Sequence, residues 1–103
     1  MTRMPKFDSL SLQKMASGHA CLNLTEQISW EAFPSFADDL MHLIGGDITN
    51  KGDAPDLRVW EVCVEGNLLR LVFDDFPVMV SMESSDDQSD KLLARLFRVL
   101  RGK

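Results

Sequence analysis

The chain has 103 residues and a formal net charge of −5, with 45% hydrophobic and 26% charged residues. That length suits one domain with its own core, without metal or disulfide staples. The composition excludes disordered and fibrous classes, and the acidic balance sets a repulsive long-range field against DNA or RNA.

The two cysteines, Cys21 and Cys63, are far apart and in no C-x-x-C arrangement, which rules out a disulfide-rich secreted scaffold. No apolar h-region follows Arg3 and Lys6, so no signal peptide is predicted. No apolar run approaches the ~20 residues a membrane span needs. Cytoplasm is the expected location, with no membrane partner.

Residues 1–18 are read as an N-terminal arm or as part of the fold, Phe7, Leu10, Leu12 and Met15 either lining one side of a short element or belonging to a loosely docked arm, and residues 19–103 as a single α+β domain. The alternation of Ala20, Leu22 and Leu24 predicts a strand near 20–25, with Cys21 and Asn23 on its other face. Phe33, Phe36, Ala37, Leu40, Leu43 and Ile44 recur at helical spacing and predict a helix over about 30–44. Ser29 is its expected N-cap and Gly45-Gly46 its stop. Pro34 disfavours helical geometry at Phe33, so a tight turn at 30–33 should precede the regular helix. The polar stretch that follows carries Gly52 and Pro55 and has room for a short strand near 47–50.

Leu57 to Glu65 and Leu68 to Phe73 flank Gly66-Asn67, a pair suited to a tight hairpin turn. Pairing Glu65 with Leu68 sets Val64 against Leu69, Val62 against Leu71 and Trp60 against Phe73. A loop over Asp74 to Pro77 then sets Phe73 against Val78, Leu71 against Val80 and Leu69 against Met82. A one-residue slip would turn one strand's apolar set outward, so the matching predicts a three-stranded antiparallel meander over 57–83. A second helix is expected over 85–101, capped by Ser84 or Ser85. Asp86, Asp87 and Asp90 open it, arginines close it, and Leu92, Leu93, Leu96, Phe97 and Leu100 form its stripe. The expected fold is an α+β two-layer sandwich with both helices on one sheet face.

The opposite sheet face is less polar than solvent exposure would favour. Val59, Cys63, Val72 and Met79 make an apolar strip, with Arg70 close to Glu61 and Glu65. Residues 1–18 could cover it, or it is an average surface. The functional reading is a homodimer or partner interface with a polar rim. The candidate interface is Val59, Glu61, Cys63, Arg70, Val72 and Met79.

Cys63 opposite Arg70 would have its thiol favoured as thiolate, but Glu61 and Glu65 act the other way, and both cysteines read as small half-buried hydrophobes. His42 follows Asp38 and Asp39 at helical spacing, too few ligands for a zinc site. Lys51 and Arg58 remove carboxylates that a calcium loop over 47–58 would need. Asp74-Asp75 and Asp86-Asp87 sit where turns and helix starts favour aspartate. No phosphate loop, dinucleotide fingerprint or nucleophile elbow is present. No catalytic, metal or cofactor-binding residue is predicted, and no cofactor. Lys91, Arg95, Arg98 and Arg101 form a basic stripe that dipole complementarity explains, so nucleic acid is a disfavoured partner.

Through Ser29-Trp-Glu-Ala-Phe-Pro-Ser-Phe-Ala37, Asp56-Leu-Arg-Val-Trp60 and Leu71-Val-Phe-Asp-Asp75, the chain resembles a family of short uncharacterised gammaproteobacterial proteins, a domain of unknown function. The resemblance covers most of residues 19–100. It implies a bacterial, cytoplasmic protein and no assigned activity. The expected function is therefore a non-enzymatic protein-interaction module acting through the open sheet face, by self-association or with another protein. A small enzyme built on scattered carboxylates and His42, and an RNA binder using the last helix, are the rival classes.

Overall fold

A computed structural model describes residues 7–75 and 77–102. Its elements in chain order are β1 (Ser11–Lys14), β2 (Ala20–Thr25), α1 (Phe33–Ile44), β3 (Gly46–Ala54), β4 (Leu57–Val64), β5 (Asn67–Asp75), β6 (Val78–Glu83) and α2 (Asp87–Arg101). The strands form one antiparallel sheet in the order β1-β2-β6-β5-β4-β3. Both helices contribute to the single buried core on one side of it, so the expected α+β sandwich stands.

The helix-facing side chains are Leu22 and Leu24 of β2, Trp60, Val62 and Val64 of β4, Leu69, Leu71 and Phe73 of β5, and Val80 and Met82 of β6, all buried. Phe33 is fully buried at the centre, edge-on to Trp60 at 4.8 Å and to Phe73 at 5.5 Å between ring centroids. Trp60 and Phe73 point to the same side, as the period-two alternation requires.

Both hairpins differ from the expected register by two residues. Val62 pairs with Leu69 and Trp60 with Leu71, while Phe73 pairs with Val80 and Leu71 with Met82. A two-residue shift returns every side chain to its original face, so apolar matching cannot distinguish the two registers. The turn decides. Glu65 and Gly66, not Gly66 and Asn67, are the loop residues, with φ of 52° and 78°. Two successive positive φ values match the type I′ turn that suits the right-handed twist of a hairpin. Arg95 on α2 holds Glu65 there at 2.7 Å.

The short strand expected near 47–50 is a nine-residue edge strand, β3. Its polar sequence reads as a loop because an edge strand with little cover needs few apolar residues, and charges there discourage further pairing. An irregularity between Ile48 and Asn50 shifts its phase. Beyond it, Asp53 lies on the helix side, where its carboxylate accepts the Trp60 Nε1 hydrogen at 2.8 Å.

Ser29 caps the turn before α1, its Oγ accepting from Ala32 N at 3.1 Å, and the helix itself begins at Phe33 with Pro34 in its first turn. Gly45 closes α1 in the left-handed conformation, φ 73°. The cap of α2 is Asp86 rather than either serine, its carboxylate accepting from Ser89 N at 2.8 Å. Ser84 instead is buried and ties the chain back to β2, donating its N–H to the Ala20 carbonyl at 3.0 Å.

Within the former arm, residues 11–14 add the outermost strand, and Phe7 packs edge-on against Phe36 of α1 at 6.3 Å. The described part of the N-terminal segment therefore runs along the sheet edge and the helix side. It does not cross the outer face. The rest of that segment, 1–6, lies outside the described residues.

Candidate functional site

Strand alternation sends Val59, Glu61 and Cys63 of β4, Leu68, Arg70 and Val72 of β5, and Met79 and Ser81 of β6 to the side opposite the helices. All six candidate interface residues lie on that face, and each retains solvent exposure. Two cross-strand rows organise it. One runs Val59, Val72, Ser81, Asn23, Ser11; the other runs Asn50, Glu61, Arg70, Glu83, Cys21, Gln13.

The two halves of the face are chemically different. Towards β2, Asn23 and Ser81 are buried despite facing outward. Asn23 donates to Ser11 Oγ at 3.1 Å and accepts from Cys21 Sγ at 3.6 Å. That half satisfies its own polar groups. Towards β4 and β5, Val59 is 37% and Leu68 52% exposed, two of the four exposed large hydrophobic residues among those described. Arg70 is ion-paired with Glu83 at 3.3 Å, and Glu61 is its cross-strand neighbour on the other side. A depression of about 200 Å³ lined by Glu61, Leu68, Leu69, Arg70, Glu83 and Ser85 lies beside it.

Two expectations about single residues change. Cys63 faces Leu68, not Arg70, so no guanidinium adjoins it across the hairpin. Glu65 leaves the face for the turn and pairs with Arg95 instead of Arg70. Burial pushes the Cys21 thiol up, away from the reactive thiolate.

Sequence spacing missed a histidine–aspartate pair at the other end of the molecule. His19 and Asp90 are 71 residues apart, and the approach of the β1–β2 hairpin to the first turn of α2 brings His19 Nδ1 to 2.9 Å from Asp90 Oδ2. Asp90 Oδ1 accepts the Ala20 N–H at 2.8 Å. That backbone hydrogen bond, then Ser84 and His19, holds the Asp90 carboxyl down at about 2. Hydrogen bonding to Asp90 raises His19 against the opposing effect of desolvation. A cleft of about 310 Å³ lined by Leu12, Gln13, Lys14, Gly18, Ala20 and Asp90 adjoins the pair. With Asp87, these two residues can bring three ligand atoms within 4.8 Å of one another, the one such trio among the described residues. Both Asp90 oxygens are already engaged, so the pair is first of all a bracket between β2 and α2. His42, the histidine singled out by spacing, is exposed on α1 and belongs to no such group among the described residues.

The bracket has a pH signature. Because His19 is raised, its contribution is complete below its ordinary value of 6.5 and is lost as pH rises through the folded value. Because Asp90 is lowered, its contribution is present above the ordinary 3.8 and is lost as pH falls towards about 2. The pair therefore stabilises most between these limits. Urea midpoints of wild type and His19→Gln should differ more at pH 5.5 than at pH 8.5; an equal gap at both would remove the ion pair from the account.

Arg58 was also missed, although it is in phase with Trp60 and Val62. It is 8% exposed on the helix side, its guanidinium 4.0 Å from the Trp30 ring centroid, and its Nε lies 3.6 Å from Asp53. Aromatic faces tolerate a weakly hydrated guanidinium where they would not tolerate an ammonium.

The family model for a protein of unknown function, DUF3630, matches residues 10–100. The chain belongs to this family. The DUF3630 match begins before β1 and ends within α2, so it takes in every strand of the sheet and extends past the 19–100 expected from the resemblance. No curated protein and no solved structure matches this DUF3630 chain. No described helix is long and apolar enough to cross a membrane.

Proposed function

We propose that this chain is a non-enzymatic protein-interaction module whose contact surface is the β4/β5 half of the open sheet face. The carrying observation is the contrast between the two halves: one closed by its own hydrogen bonds, the other leaving Val59 and Leu68 exposed beside Val72 and Cys63. Exposed apolar side chains grouped with charged ones mark an interaction surface. Here the Glu61–Arg70 pair lies between the Val59–Val72 and Cys63–Leu68 pairs, with Glu83 next to Arg70 on β6. The bacterial, cytoplasmic setting implied by the sequence resemblance is part of the same reading.

A photo-crosslinking amino acid placed at Val72 should give discrete protein adducts, in purified protein or in native-host lysate. The same group at Arg98, on the outward side of α2, should not. No adduct from position 72 in either setting would remove the face as a contact surface.

A further inference from the structure

We propose that the occupant of this face is a second copy of the chain, packed about a two-fold axis that runs along the strands between β4 and β5. This rests on the reading of the face as a contact surface and names its partner.

A two-fold interface must be complementary to itself: whatever residue i touches must in turn be touched through i's own position on the other copy. An axis lying in the contact plane between two antiparallel strands sets each residue of one strand over its cross-strand neighbour from the other copy. The observed pairs across β4 and β5 are Val59 with Val72, Glu61 with Arg70, and Cys63 with Leu68. Rotation therefore sets Val59 over the partner's Val72, Glu61 over the partner's Arg70 and Cys63 over the partner's Leu68. Apolar meets apolar, and acid meets base twice.

The axes towards β2 fail the same test. Moving the axis between β5 and β6 sets Val59 over the partner's Asn23, a side chain already buried and hydrogen-bonded to Ser11. Moving it between β6 and β2 carries Val72 over the partner's Ser11 at the sheet edge. The β4/β5 axis instead leaves Asn23 and Ser11, on β2 and β1, outside the contact. The twist of each sheet turns the two strand directions by about 30° without changing which rows meet.

The test is molecular mass by light scattering and sedimentation between about 5 and 300 μM. Wild type should approach twice the 11.6 kDa chain mass. Arg70→Glu and Glu61→Arg should each weaken association about tenfold or more, and the double reversal should restore most of it. Val72→Asp should give the single-chain mass; Arg70→Glu, at an exposed position, with its rescue by Glu61→Arg, decides the matter if that variant does not fold. Wild type at the single-chain mass throughout would overturn the second copy while crosslinks from position 72 to another protein kept the face. A dimer indifferent to Val72→Asp and to both reversals would overturn the proposal and place association elsewhere. A double reversal no better than the singles would overturn this axis.

Discussion

Phe33→Ala is expected to destabilise the fold by about 3–5 kcal/mol, the range for removing a fully buried aromatic ring. Domains of this size are stable by only ~5–15 kcal/mol, so one ring carries a large share of the margin. The position is severe for a geometric reason. Phe33 is the first residue of α1, packed edge-on to Trp60 on β4 and Phe73 on β5, and it has no exposed surface. The void would open where helix and sheet meet, against Trp60 and Phe73, with strands on one side that cannot move inward without breaking their ladder. Collapse is therefore incomplete, and the cavity cost adds to the lost transfer energy. Urea unfolding should show the loss with an unchanged m-value. Val99→Ala, at a side chain 49% exposed, should stay within ~0.5 kcal/mol. A loss below ~1.5 kcal/mol for Phe33→Ala would show that the aromatic cluster repacks freely.

Gly46→Ala is expected to cost about 1–3 kcal/mol, through overpacking rather than backbone strain. A Cβ at Gly46 would lie 2.8 Å from Met41 Sδ, 2.8 Å from Val64 Cγ2 and 3.1 Å from the Cys63 carbonyl. Met41 can swing away; Val64 is fully buried, and the carbonyl belongs to the paired strand. Gly45 makes the contrast. A Cβ there meets nothing within 4 Å, but its φ of +73° costs an alanine ~1–2 kcal/mol by chirality alone. The two losses have different partners. Combining Gly46→Ala with Val64→Ala should cost at least ~0.5 kcal/mol less than the sum of the singles, since the second removes the clash. Gly45→Ala with Val64→Ala should be additive. Additivity in both cycles would mean that Gly46 is not sterically required.

These adjacent glycines also mark how far chain-level reasoning reaches. A helix that runs out of apolar periodicity at Ile44 calls for a left-handed stop, and Gly45 supplies it; that is local and legible. The need at Gly46 depends on Val64, eighteen places along in the chain numbering and adjacent only because β3 pairs with β4. The same division holds for the contact face. Alternation alone put Val59, Glu61, Cys63, Arg70, Val72 and Met79 on one side, because a strand's side chains change face at every residue whatever the register. Which residue stands opposite which could not be read, since two registers differing by two residues have identical faces, and a turn with positive φ at Glu65 chose between them.

Patterns repeating every two or every 3.6 residues were enough to specify both helices, four of the six strands and the side of the sheet that each strand residue occupies, because those patterns are consequences of local backbone geometry. Folding in three dimensions alone decided the remainder. The polar edge strand β3 is held by pairing rather than by apolar content. The His19–Asp90 bracket joins residues with no spacing relation, and burial of Arg58 follows from rings contributed by α1, its preceding turn and β4. Each of these depends on contacts between distant segments, whose energy is absent until the sheet has assembled.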